Sequence, residues 1–309
     1  MAAKAWGTQQ KIVDEIFFQN DAVSLCLLVN RRTKTMRVID FRAGPTAAKR
    51  AFVLSLAKRE GVEKAYTLVE RDEVATWTKL GFAKEASIPG FYKRSDAFLL
   101  GCFASPRQGS GLVESETRIV VAGSAGQGPD TTHYDLAERT LVHAKKLAKE
   151  TLDRALPVVK VGVLREPEVR KLLAAAFKSG RALTAFEPFG RDVDRRHFSL
   201  TARGGFELIV STERQNCFGN AFVELLHGPK TEVERVGIIA ALGTLRDKLL
   251  EEGVVSAFAF SPSDDVPLAS VFVANGFRRT GLLRGQLILG EARKDAIVWS
   301  HKLANPAEE

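Results

Sequence analysis

Two stretches of this chain repeat one order of landmarks, and that repeat constrains the fold more than any other feature. The first runs Gly44-Pro45, a helical segment, Gly61-Val62, an apolar strand, a second helical segment, Gly81-Phe82, a strand, and then Asp96-Ala97-Phe98-Leu99-Leu100. The second runs Gly228-Pro229, helix, Gly253-Val254, strand, helix, Gly276-Phe277, strand, and Asp295-Ala296-Ile297-Val298-Trp299. The two helix-stopping glycines are 20 residues apart in the first stretch and 23 in the second. A glycine after a helix supplies the left-handed residue that ends it, so helix–Gly–strand is common in α/β proteins. The recurring Gly-Phe and the later Asp-Ala-apolar strand make this more than that. A chain of 309 residues has room for two units of ordinary size.

Apolar periodicity fills in the rest. In the first piece Ala22–Val29, Met36–Phe41, Ala65–Val69 and Ala97–Phe103 read as strands, with helices over Thr46–Glu60 and Glu70–Leu80. The second piece begins with a helix over His133–Leu156, striped by Leu136, Leu141, Leu147 and Leu152, and stopped at Pro157. Strand Val158–Leu164, helix Glu168–Lys178 and strands Phe198–Ala202, Phe206–Ser211 and Ala221–Leu226 follow. Helix Glu232–Glu252, strand Val254–Phe260, helix Val266–Asn275 and strands near Thr280–Leu289 and Ala296–Leu303 end the chain. Gly, Ser and Pro dominate Ser105–Glu114 and Ala122–Thr132, around a short strand at Arg118–Ala122. The expected division is therefore 1–104, a linker over 105–132, and 133–309. The second piece carries an extra strand–helix unit and further strands in front, so the first is a truncated copy.

Composition excludes several classes. No apolar run reaches membrane-spanning length, and Met1–Lys11 has no secretory apolar core. Cys26, Cys102 and Cys217 have neither disulfide-framework nor zinc spacing, which makes a reducing cytoplasm the expected compartment. Lys+Arg exceeds Asp+Glu by 45 − 37 = 8, which favours an anionic partner: nucleic acid, a phosphorylated cofactor or an acidic protein. No nucleic-acid recognition motif accompanies that charge, so nucleic acid is the least favoured of the three.

The element order of the second piece resembles that of the GNAT N-acyltransferases. Asn275-Gly276-Phe277, a short helix ending in Gly-Phe before a strand, is similar to a signature of that superfamily. Arg235-Val-Gly-Ile-Ile-Ala-Ala-Leu242 is similar to its pyrophosphate loop and aliphatic helix start. A partial amino-terminal module before a full domain resembles the beta-lysine N-acetyltransferase family, through Leu80-Gly-Phe-Ala-Lys-Glu-Ala-Ser-Ile-Pro-Gly-Phe-Tyr92 with Asp96-Ala97, and Asn220-Ala221 with Asp295-Ala-Ile-Val-Trp299. The resemblance implies a tandem α/β (α+β) fold, each copy a mixed central sheet flanked by helices. It also implies acetyl-CoA as acyl donor and a small amine or amino acid as acceptor.

Under that resemblance, backbone N–H groups at the start of the long helix would receive the cofactor's pyrophosphate, favoured by the helix dipole. Leu226, Lys230, Arg235, Val236, Gly237 and Ile238 are the expected cofactor residues. Only Gly237 of the loop's glycines is present; Arg235 stands at the place of another and either supplies charge or blocks approach. In the first copy the matching Arg42-Ala-Gly-Pro-Thr-Ala-Ala-Lys49 has Pro45, which has no N–H, so that half is expected to be a structural remnant. Arg31, Arg32, Lys34 and Arg37 are expected to form a solvated hairpin there.

Acyl transfer to an amine needs a base and donors for the oxyanion. Glu224, in Phe222-Val-Glu-Leu-Leu-His227, is the expected base, on a face shared with Phe222 and Leu226; His227 is a second candidate. The place of a thiolate-protonating tyrosine is taken by Trp77 and Phe272, which leaves that step to water. Asp264 and Asp265 are candidates to hold an ammonium group, against the plainer reading of Asp265 as a helix cap. Two functions follow. One is an acyl-CoA-dependent N-acyltransferase; the other is an inactive GNAT-fold regulator or scaffold acting through protein contacts or CoA sensing.

Overall fold

The computed structural model describes residues 13–21, 23–41, 44–104, 132–215 and 217–305. The strand expected at 118–122, the loops flanking it and nearly all of the expected linker lie outside the described residues. The first half contains β1 (Val13–Gln19), β2 (Ser24–Asn30), β3 (Thr35–Asp40), α1 (Ala47–Arg59), β4 (Lys64–Val69), α2 (Val74–Lys79), β5 (Ala83–Ile88) and β6 (Ala97–Phe103). The second contains α3 (Thr132–Lys149), β7 (Val159–Leu164), α4 (Glu166–Lys178), β8 (Asp194–Ala202), β9 (Phe206–Gln215) and β10 (Asn220–Leu225). It continues with α5 (Glu232–Glu251), β11 (Ser256–Pro262), α6 (Val266–Ala274), β12 (Arg278–Leu289) and β13 (Ala292–Lys302).

All these strands lie in one sheet, ordered β1-β2-β3-β4-β6-β5-β12-β13-β11-β10-β9-β8-β7. Read inward from either edge, the order is the same: an antiparallel meander, one parallel step (β3 to β4; β10 to β11), then the last strand inserted before the penultimate one. The second half has α3, β7 and α4 in addition, and the first is the shorter copy.

The repeated residues make repeated bonds. Gly81 and Gly276 have φ of +87° and +80° and end α2 and α6. Behind them the Phe82 N–H donates to the Trp77 carbonyl at 3.1 Å and the Phe277 N–H to that of Phe272 at 3.0 Å. The two ring pairs meet edge-on, 4.9 and 5.5 Å between centroids. Trp77 and Phe272 are thus buried core residues. Asp96 accepts from the Gly90 N–H at 2.9 Å, and Asp295 from that of Gly285 at 2.6 Å. Asp96, just before β6, ties down the turn ahead of it, and Asp295, near the start of β13, ties down β12 at Gly285, which is why Asp-Ala recurs.

β5 and β12 join the halves, antiparallel at Gly281↔Ala86. One core cluster is built from both: Tyr66, Ile88, Phe91 and Leu99 from the first, Phe189, Phe222, Phe258 and Val298 from the second. Asn220 donates to the Phe91 carbonyl at 3.0 Å, and Ser256 to that of Pro89 at 2.8 Å. Fully buried Lys64 donates across the seam to the Arg284 carbonyl (2.7 Å) and, within its own half, to Glu85 (2.6 Å). The Lys64–Glu85 pair lies over Gly101, where a Cβ would stand 2.7 Å from the Glu85 carboxylate.

Two elements differ from expectation. β1 was not anticipated: as an edge strand its burial is weak, and it is held by Phe18 stacked on Phe52 at 3.8 Å. α3 ends at Lys149, and its buried face is not the leucine stripe but Ala137, Thr140, Ala144 and Ala148. Small side chains at that spacing let α3 lie close on α6, while Leu136 and Leu152 point outward.

Candidate active site

β10 pairs with β9 along its length but with β11 only from Asn220↔Ser256 to Val223↔Ala259. Past that point β11 stays with β13 as far as Pro262↔Ala296, so the parallel pair opens. Leu226 holds β10 to the β9 side: its N–H donates to Ile209 at 2.9 Å, and its carbonyl accepts from Leu183 at 2.8 Å. Ladder N–H groups alternate in direction, which turns the Leu225 N–H toward the gap. A cavity of about 90 Å³ occupies the opening, with Glu224, Leu225, Phe260 and Pro262 on its walls. The first copy closes it with Tyr66 and the Asn30–Thr35 turn.

Two acceptor atoms in this cavity receive no hydrogen bond from the described residues. One is Glu224 Oε2; the other is Oε1 of Gln286, a residue 7% exposed. Glu224 Oε1 accepts from the Thr184 hydroxyl at 2.5 Å. The nearest cation is Arg195, 3.9 Å from Oε2 and committed to Glu213 and to the Phe186 and Glu187 carbonyls. Burial therefore wins, and the Glu224 carboxyl is pushed up to about 7 despite the pull of Arg195 and Thr184.

That shift has a stability consequence. Between the ordinary value of 4.5 and about 7, the folded protein holds a proton at Glu224 that the unfolded chain has released. The stability contributed by this group is thus fully present below 4.5 and lost as pH rises to about 7. Urea midpoints of the native protein and of Glu224→Gln should diverge in the variant's favour across that window and run parallel above it. Parallel curves throughout would show Glu224 to be ionised normally.

Phe222, Glu224 and Leu226 share a face of the strand, with Val223 and Leu225 on the other, as their partners in separate core clusters require. His227 does not line the cavity. Its ring lies 3.4 Å from Arg181 and from the Gly228 carbonyl, and burial and Arg181 lower its pKa. Leu226 is core, 3% exposed, beside Val169 and Phe186.

The start of α5 departs from the expectation of an anion site. Thr231 caps it, accepting from the Glu234 N–H at 3.2 Å. Its first turn carries Glu232 and Glu234, and Glu234 accepts from the Lys230 N–H (2.7 Å) and from Arg181 (3.0 Å). These carboxylates occupy the role a phosphate would have at the positive end of the dipole. Arg235 faces neither solvent nor the loop. At 2% exposure it bonds Glu232 at 2.8 and 2.7 Å, and reaches the Leu147 carbonyl and Ser270. A Cβ on Gly237 would stand 2.5 Å from the Phe206 ring, so the glycine makes room for that ring. Val236 is half-buried and Ile238 fully buried. Lys230 and residues 235–238, expected to receive a diphosphate, are engaged in these contacts within the protein. Arg235→Met should cost about 1–2 kcal/mol in urea unfolding, since Glu232 is half exposed and regains water. A loss of anion affinity without loss of stability would reverse this assignment.

The two aspartates are also structural. Asp265 caps α6, accepting from the Leu268 N–H at 2.9 Å, and Asp264 pairs with Lys294 at 2.6 Å on the surface. Neither lines the cavity. Conversely, Thr184, Gln286, Tyr66 and the Asn30–Thr35 turn escaped the sequence reading. Thr184 lies in a stretch without periodicity, Gln286 comes from β12 of the same half, distant in sequence from Glu224, and Tyr66 and the turn reach the cavity only through packing of the copies. Arg32, assigned to a solvated hairpin, forms a bidentate pair with Glu187 at the cavity.

Among known proteins, no family profile and no curated sequence matches the chain. Solved structures do match about half of it. The ribosomal-protein-S18-alanine N-acetyltransferase of Escherichia coli aligns at 16% identity over 49% of this chain and 97% of its own, with a TM-score of 0.36. Spermidine N-acetyltransferase of Vibrio cholerae, solved with CoA and spermine, aligns at 10% identity over 48% and 96%, with a TM-score of 0.39. The order and direction of the strands themselves, with one parallel step and the last strand inserted beside it, identify the second half as a GNAT fold and the first as a shortened copy of it.

Proposed function

We propose that the protein binds a small primary amine in the cavity between β10 and β11 and N-acylates it, with Glu224 as general base. One observation carries this reading. The two buried polar atoms left without a partner in the cavity, Glu224 Oε2 and Gln286 Oε1, are both acceptors. Leaving a buried acceptor unpaired costs about 1–3 kcal/mol, so the cavity suits a ligand made of donors, and an ammonium group has three. At 90 Å³ it takes a slender head group and not a bulky one.

The roles follow from position. Glu224, ionised above about pH 7, takes a proton from the ammonium and leaves the amine lone pair free to attack. Gln286 orients the nitrogen. The Leu225 N–H, turned into the gap, faces the oxygen that gains charge. Phe260 and Pro262 exclude water from the opposite wall. The acyl donor supplies the electrophilic carbonyl: as the amide C–N bond forms its C–S bond breaks, and the thiolate leaves, taking through water the proton shed by the attacking nitrogen.

A second reading, amine binding without transfer, is favoured by α5. With Glu232 and Glu234 in its first turn and Phe206 against Gly237, that helix start does not fit the diphosphate of acetyl-CoA. The readings separate in one experiment: calorimetric titration with short diamines and lysine, then acylation assays with acetyl-CoA as donor. Amine binding with turnover supports N-acylation. Amine binding without donor binding or turnover supports the second reading. No amine binding overturns both.

A further inference from the structure

The first copy has a gap at the corresponding place. β3 pairs with β4 from Thr35↔Lys64 to Val38↔Thr67, a four-residue parallel ladder like that between β10 and β11. Beyond it the strands part, and a cavity of about 440 Å³ opens between Ile39–Phe41 and Leu68–Val69. That size is within the range of small-molecule sites. The second copy supplies the remaining wall through Arg191, Gln215 and Phe218.

The polar character is opposite to that of the first cavity. Among the described residues that line it, the buried side-chain polar atom without a hydrogen bond is a donor, the Nε–H of Arg37. Arg37 is 7% exposed; its Nη1 donates to the Phe189 carbonyl, and its guanidinium lies over the Phe189 ring, 4.5 Å from the centroid. The body of the cavity is aromatic, with Phe41 at one side and Phe91, Tyr92 and Phe218 packed edge to face. Three carboxylates also line it. Asp40 is engaged by Lys49 and Asp192 by Arg191. Burial, with Asp40, Asp72 and Glu70 nearby, holds the Glu73 carboxyl above its ordinary range.

We infer that this cavity is a second ligand site, for a small carboxylic acid with a flat apolar body, its carboxylate received by the Arg37 Nε–H and its body stacked among Phe41, Tyr92 and Phe218. The inference does not depend on amine acylation. The site draws walls from both copies, so an acid bound there braces the seam that also closes the amine cavity.

4-Bromobenzoate is a suitable probe, with 4-bromobenzamide as its uncharged control. Calorimetry on the full chain should give one site for the acid and at least tenfold weaker binding of the amide. Arg37→Met should weaken the acid at least tenfold, while Glu224→Gln leaves it unchanged. Equal binding of acid and amide, no binding at millimolar acid, or loss in Glu224→Gln would each overturn the assignment. If Arg37→Met does not fold, the bromine's anomalous signal in crystals of the native protein with the acid decides. A peak between Phe41 and Phe218 with the carboxylate on Arg37 supports the site; a peak elsewhere, or none, refutes it.

Discussion

Glu224→Gln should lower the rate of amine acylation by about 10²–10⁴-fold, the usual contribution of a positioned general base. Affinity for the acyl donor should hardly change. The substitution is nearly isosteric: the amide oxygen still accepts from Thr184, which now bonds Glu224 Oε1 at 2.5 Å, so the strand and its loop keep their places. What is lost is the atom that receives the proton, Oε2, buried and without a hydrogen-bond partner among the described residues. The pH profile supplies an independent readout. In the native protein the rate should rise as pH increases through about 7, because the base works only once ionised and its carboxyl is pushed up to about 7 by burial. In the variant that limb should vanish. Turnover within threefold of native, or an unchanged pH limb, would remove Glu224 from the chemistry.

Gly281→Ala should destabilise the whole molecule by about 3 kcal/mol, the upper part of the range for overpacking a tight site. A Cβ at Gly281 would overlap Ala86 and the carbonyl of Glu85, at the one register pair that joins β5 to β12. The obstacle is largely backbone, and no side chain can rotate to relieve it. The strands have to part. The core cluster shared by the copies, in which Tyr66 meets Phe189 and Phe91 meets Phe258, opens with the seam. The urea midpoint of a single transition should fall, and amine affinity with it, because Tyr66 and the Asn30–Thr35 turn close the amine cavity from the far side of the seam. Gly162→Ala is the control: on edge strand β7 its Cβ would meet only the Ser199 carbonyl, at an ordinary 3.7 Å. An equal loss in both variants would make the effect one of strand glycines in general and not of the seam.

The repeat was legible because its landmarks are local. Gly81 and Gly276 are needed where each helix turns into a strand, and Asp96 and Asp295 bind an N–H a few residues upstream in the chain. Such interactions leave the same residue types at matching places. Glu224 was legible for a similar reason: a carboxylate amid apolar strand residues stands out from its neighbours. The start of α5 was not legible. Arg235 next to a helix start reads as surface charge until α3 and α6 bury it. Gly237 reads as open until Phe206, 31 residues earlier in the chain, lies against it. Local spacing carries no information about either contact.

Taken alone, the sequence determined that the chain is two copies of one α/β unit, which residues end each helix, and where a carboxylate interrupts an apolar strand. These follow from backbone geometry and side-chain periodicity, which act over a few residues. The tertiary structure decided that the copies form one sheet, that their shared core closes the cavity around Glu224, and that the start of α5, expected to take a phosphate, carries glutamates with a phenylalanine ring against it. Those outcomes depend on contacts between residues from 31 to more than 250 positions apart, such as Phe206 with Gly237 and Arg32 with Ile288. Close packing alone sets which of them meet.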